Sequence, residues 1–182
     1  MRKVIFGILL ILCSCSTPVN KSNIYNCLPN KQAEAIKKAH SKFMQLLKKE
    51  YQIKTIEDYQ SFFEYISSSG NYRVPEEYAF NFEYFKENEI ADTIFFLKDT
   101  TLYKNVDILW SKELIECVAQ NTHNSDHETL SLRLKKNNNI SPGILASSMQ
   151  QNFNKIDFDD ELINLWILIE FYIDPCIRQS IE

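Results

Sequence analysis

The segment from Glu161 to Ile173 is apolar on every side, and it limits the possible folds of this chain more than any other feature. Asn164 and Glu170 are the polar residues inside it. A helix without a polar face has to be surrounded by other elements. A membrane span would need about 20 apolar residues and would place the charge of Glu170 in lipid, where it is costly. We therefore expect a buried central helix that is ended by Asp174-Pro175.

Apolar residues recur at helical spacing through most of the chain before this segment. The clearest stripe predicts a first helix over about residues 31–50, with His40 as a boundary residue on an otherwise apolar face. Thr55 and Asp58 resemble a capping box for a second helix that ends at Gly70. Further helices are predicted from Pro75 and over about residues 89–97, 106–120, 125–136 and 141–153.

The predicted fold class is therefore all-α. We expect a single globular multi-helix domain of about seven to eight helices around the apolar C-terminal helix. The length of the chain suits one domain, and its 12 Phe and 9 Tyr supply large apolar side chains for one core.

Glycine is too scarce for several common catalytic and cofactor sites. Of three glycines, Gly7 lies in the N-terminal apolar run, which leaves Gly70 and Gly143 for the folded part. Phosphate-binding loops, dinucleotide fingerprints and nucleophile elbows each need two or more glycines at fixed spacing around a turn. These sites are excluded, and no cofactor is predicted.

The N-terminus has the pattern of a secretory signal. Arg2 and Lys3 precede an apolar run from Val4 to Leu12, and a small residue then stands before Cys15. About nine apolar residues are too few to cross a ~30 Å hydrocarbon core. We therefore expect this segment to direct export rather than to form part of the fold, and residues 29–182 to form the helical domain.

The segment Leu12-Cys13-Ser14-Cys15 resembles the lipobox of bacterial lipoproteins. The resemblance covers the signal alone, and it implies that residues 1–14 are cleaved and that Cys15 is lipidated with acyl chains such as palmitate. Residues 15–28 would then be a lipidated tether to the cell-envelope membrane. Ser16, in place of an aspartate, implies the outer membrane rather than the inner one. An ordinary cleaved signal with an unmodified Cys15 is the alternative.

Three cysteines remain after lipidation, in a compartment where disulfides form. Cys27 and Cys176 flank the folded body near its two ends, whereas Cys117 shares a predicted helical face with apolar residues. This placement favours a disulfide between Cys27 and Cys176. Three buried, unpaired thiols are the alternative, because free cysteine packs as a small apolar residue.

Two imidazoles and two carboxylates lie within residues 123–128. His123, Asp126 and His127 are possible zinc ligands, and their spacing is similar to that of the inverted zinc-protease motif, although Asp126 stands where that motif has glutamate. Ser125 and Glu128 form a capping box, so the start of a helix explains the same residues. We predict a helix start, and no metal.

The first predicted helix is strongly basic. Six lysines between Lys31 and Lys49 face one acid, Glu34. Such a helix beside a lipid tether could lie against anionic headgroups. Its apolar stripe is narrow, however, so we favour burial of the stripe in the domain, with the lysines facing water or the acidic remainder of the chain.

Acidic residues are densest between Glu76 and Asp99, where seven acids and two lysines alternate with aromatic residues. Acids among aromatic rings are typical of a surface that recognises a basic protein, and the same charge disfavours nucleic acid. Alternatively, the rings belong to the core and the acids are its solvated side. The candidate partner-binding residues are Glu76, Glu77, Tyr78, Glu83, Tyr84 and Glu87.

Together these features predict a lipid-anchored cell-envelope protein without catalytic machinery. We expect it to act as a binding or protective module, as helical immunity proteins do, with the membrane and a basic protein as partners. The alternatives are a metal-dependent envelope hydrolase that uses His123, Asp126 and His127, and a carrier of an apolar envelope ligand.

Overall fold

The computed structural model describes residues 24–69, 72–90, 95–98, 107–110, 114, 116–117 and 141–181. These residues are mainly helical, as predicted. The principal elements are α1 (Asn30–Glu50), α2 (Asp58–Ser69), α3 (Phe82–Glu87), β1 (Phe95–Lys98), β2 (Asp107–Trp110), α4 (Pro142–Gln151), α5 (Glu161–Leu168), a π-helical turn (Ile169–Ile173) and α6 (Asp174–Ile181). Short 3-10 helices cover Ile24–Cys27 and Phe153–Lys155.

Besides the two short 3-10 helices and the helical residues 114 and 116–117, those ranges form five helices, because α5, the π-helical turn and α6 follow one another without a break. The predicted number of seven to eight is therefore too high for the described residues. None of their helices is long and apolar enough to cross a bilayer. The predicted signal peptide, Cys15 and the cluster of His123, Asp126 and His127 lie outside the described residues.

Helix α1 agrees with its prediction. It begins at Asn30 and ends at Glu50, and its apolar stripe, including Ile36 and Phe43, is buried. His40 lies at the edge of that stripe and is half-buried. Since the core already covers the apolar face of α1, that face is not available to lie in a membrane surface.

Helices α2 and α4 begin where capping signals predict them. Oδ2 of Asp58 accepts the backbone N–H groups of Lys54 at 2.8 Å and Thr55 at 2.9 Å, the second being half of the predicted capping box. Oγ of Ser141 accepts the N–H of Ile144 at the start of α4. The two helices pack against each other.

The C-terminal helix is the centre of the core, as its all-round apolar sequence predicts. Every residue from Ile167 to Ile177 is buried except Glu170, and the buried set includes Asp174, which is 8% exposed. The rings of Phe171 and Tyr172 pack against aromatic rings of α1 and α2. Burial of an aromatic or aliphatic side chain of this size stabilises the fold by about 1.5–3 kcal/mol.

The prediction that Asp174-Pro175 ends this helix is wrong, because α6 continues to Ile181. Proline lacks an N–H group, so the carbonyl four residues earlier, that of Phe171, loses its usual helical partner. The hydroxyl of Tyr72 donates a hydrogen bond to that carbonyl at 2.8 Å. The π-helical turn before Pro175 also departs from the regular spacing in which the proline ring would clash.

The helices predicted over residues 89–97 and at the start of residues 106–120 are also incorrect. Strands β1 and β2 occupy these positions and pair antiparallel, with Phe95 opposite Trp110 and Lys98 opposite Asp107. Short apolar runs fit either element, and aromatic side chains favour strands when a partner strand satisfies their backbone groups. Residues 116–117 are helical, in agreement with the later part of the second prediction.

The helix predicted to open at Pro75 is replaced by a single turn. The N–H groups of Tyr78 and Ala79 donate to the carbonyl of Pro75, at 2.9 and 3.0 Å, and the turn does not propagate. Helix α3 begins only at Phe82, where the side chain of Asn81 provides the cap.

The disulfide joins Cys27 to Cys117, so the predicted pairing of Cys27 with Cys176 is wrong, as is the alternative of three unpaired thiols. Cys176 lies on α6 inside the core with 1% of its surface exposed, and its thiol is unpaired. The position of Cys27 and Cys176 near the two ends of the chain therefore did not predict the disulfide, because α6 buries Cys176 in the core. Leu28, the last residue of the segment predicted as a tether, is buried.

The acidic groove as the candidate functional site

An extended segment, residues 72–80, is hydrogen-bonded to the C-terminal helix and determines the position of the candidate site. The backbone N–H of Val74 donates to Oε1 of Gln179 at 2.8 Å, and Nε2 of Gln179 donates back to the carbonyl of Val74 at 2.9 Å. The hydroxyl of Tyr172 donates to the carbonyl of Tyr78. Together with the contact from Tyr72, these hydrogen bonds hold the segment at both ends.

The turn within this segment is stabilised by a lysine of α1. Nζ of Lys42 lies 3.3 Å from the carbonyl oxygen of Glu77 and 3.5 Å from that of Ala79. A cation suits this position because the carbonyl groups of a helical turn point towards its C-terminal end. The next residue, Phe80, therefore lies at a defined position beside α1.

Phe80 and helix α3 form a surface groove of about 430 Å³, here called the acidic groove. The centroid of the Phe80 ring lies 3.9 Å from that of the Tyr84 ring, and the angle between the two ring planes is 11°. The hydroxyl of Tyr84 donates to the carbonyl of Ala35 on α1 at 3.1 Å, which fixes the stacked pair against the domain. The groove is lined by Ala79, Phe80, Asn81, Glu83, Tyr84 and Glu87.

The groove combines exposed carboxylates with aromatic rings that are already in contact with cations. Glu83 and Glu87 are exposed and lie one helical turn apart on α3. Nζ of Lys42 lies 4.8 Å from the ring centroid of Phe80, and Nζ of Lys38 lies 5.4 Å from that of Tyr84. Burial raises the pKa of the Tyr84 hydroxyl, which stays protonated and keeps its hydrogen bond at neutral pH.

The six candidate partner-binding residues separate into two groups. Glu83, Tyr84 and Glu87 line the groove, whereas the other three lie in the turn that precedes it. Glu76 and Glu77 are exposed there. Tyr78 turns away and donates its hydroxyl to Oε1 of Glu50 at 3.0 Å; burial, followed by that hydrogen bond, raises its pKa.

The aromatic rings between Tyr78 and Phe85 had two interpretations, as part of a partner-binding surface or as part of the core. Neither interpretation fits all of them. Phe85 is buried in the core, whereas Tyr78, Phe80, Phe82 and Tyr84 are half-buried. One face of the region is therefore core, and another borders the acidic groove.

The predicted binding residues omit Lys38, Lys42 and Phe80. The two lysines lie on α1, and more than 35 residues separate each of them from the ring it contacts, so no local sequence pattern indicates the contact. Phe80 is recognisable only as one of several aromatics between acids. The hydrogen bonds of Lys42 to the carbonyls of Glu77 and Ala79, and of Tyr84 to the carbonyl of Ala35, hold the groove residues beside α1, which is a tertiary feature.

Outside the groove, Asp157 lies in a turn and His40 lies at the edge of the buried stripe of α1. Oδ1 of Asp157 accepts the N–H of Asp159 at 3.0 Å in the turn before α5. His40 is half-buried, and burial lowers its pKa. Among the described residues, no group of three His, Cys, Asp or Glu side chains could hold a metal ion.

Carboxylates beside stacked aromatic rings bind cations, and these are the groups that the acidic groove presents to solvent. Comparison with protein-family models, with curated proteins and with solved structures finds no match to this chain in any of the three. Any function of the groove therefore has to be inferred from its own residues.

Proposed function

We propose that this chain is a lipid-anchored envelope protein whose acidic groove binds a basic protein, in a non-catalytic, protective or immunity-like role. The observation that carries the proposal is the placement of Glu83 and Glu87 along a groove floored by the Phe80–Tyr84 stack. Charge complementarity accelerates encounter with a basic partner, and aromatic side chains anchor it once it is bound.

The rigidity of the site supports this role. The 72–80 segment is hydrogen-bonded to the C-terminal helix, and Tyr84 is hydrogen-bonded to α1. A surface that is already ordered loses little conformational entropy when a partner binds. The acidic groove thus has the properties of a preformed interface.

The experiment is capture of partners by the full-length, membrane-tethered chain, with the groove carboxylates neutralised as Glu83→Gln with Glu87→Gln. The matched control neutralises two exposed acids elsewhere, Glu64→Gln with Asp159→Asn. We expect the wild type and the control to retain a basic protein that the groove variant loses, and we expect high salt to weaken retention because it screens exposed charges. Salt-insensitive capture, or equal capture by all three, would contradict the proposal.

The anchor is tested separately at Cys15. The lipobox resemblance leads us to propose that its thioether holds the protein in a membrane, the outer membrane in preference to the inner one. Cys15→Ala is expected to move the protein into the soluble envelope fraction. Unchanged membrane fractionation, or an intact mass without acyl chains, would contradict the anchor.

A further inference from the structure

We draw no further inference here: the strongest candidate, the surface patch formed by the exposed apolar side chains of Met44 on α1, Ile56 in the connection to α2 and Tyr65 on α2, carries nothing because nothing in the structure shows what covers it.

Discussion

At the scale of single residues, Tyr72 allows a helix to pass through a proline. Pro175 leaves the carbonyl of Phe171 without its helical N–H donor. The hydroxyl that replaces this donor comes from a residue 99 positions away in the sequence. A buried carbonyl without a partner costs about 1–3 kcal/mol, so this one oxygen atom of Tyr72 stabilises the centre of the core.

Tyr72→Phe removes the hydroxyl and keeps the ring. We expect the variant to lose about 1–3 kcal/mol of the free energy of unfolding, measured by urea denaturation of the full chain. Tyr65→Phe is the matched control, because the ring of Tyr65 is 52% exposed, and it should change stability little. Equal effects of the two substitutions would show that Phe171 does not depend on Tyr72.

His40 predicts how stability depends on pH. Burial lowers its pKa in the folded chain below the ordinary histidine value of about 6.5, so as the pH falls the unfolded chain takes up this proton first. The free energy of unfolding should therefore decline as the pH is lowered through about 6.5. His40→Gln should show a smaller decline than the wild type in urea titrations between about pH 7.5 and pH 5. Identical slopes would contradict the assignment.

At the scale of elements, the helices whose formation depends on residues close together in the sequence were predicted correctly. The long apolar stripe placed α1 within one residue of its observed start, and Ser141 with Pro142 placed the start of α4. Strands β1 and β2 were missed because each holds four residues and depends on its partner for its backbone hydrogen bonds. The continuation through Pro175 was missed because its compensating donor is distant in sequence.

Helix α4 offers a stabilising substitution at Gly143. A Cβ added there would lie 3.7 Å from the carbonyl oxygen of Ile66 on α2, which is ordinary van der Waals contact. Alanine forms a helix more readily than glycine, and it lowers the backbone conformational entropy of the unfolded chain. Gly143→Ala should therefore raise the free energy of unfolding by about 0.5–1 kcal/mol. A raised Tm in calorimetry checks this. Destabilisation would mean that α2 and α4 approach more closely than the structure shows.

The acidic groove was predictable only in part. Glu83 and Glu87 stand out in the sequence as acids among aromatics, and both line the groove. The contacts of Lys38 with the Tyr84 ring and of Lys42 with the Phe80 ring join residues that are far apart in the sequence. Charge patterning thus identified the two carboxylates of the groove, whereas the stacking of Phe80 on Tyr84 and the contacts with α1 depend on packing.

At the scale of the whole molecule, one covalent link joins distant parts of the chain. Cys27 and Cys117 are 90 positions apart in the sequence, and bridging them restricts the unfolded chain. Cys27→Ser with Cys117→Ser should lower the free energy of unfolding by about 2–5 kcal/mol. Reductant should bring the wild type to the same level and leave the variant unchanged. A variant as stable as the oxidised wild type would show that the link adds nothing.

The position of that bond also decides how the domain responds to a pull on its N-terminus. Cys27 precedes the first residue of α1, Asn30, so a mechanical load entering from the N-terminal side meets the disulfide before it meets the helix. The load passes across the bond to Cys117, and α1 is not peeled from the molecule first. A domain loaded at its N-terminus would thereby be protected from unravelling at that end.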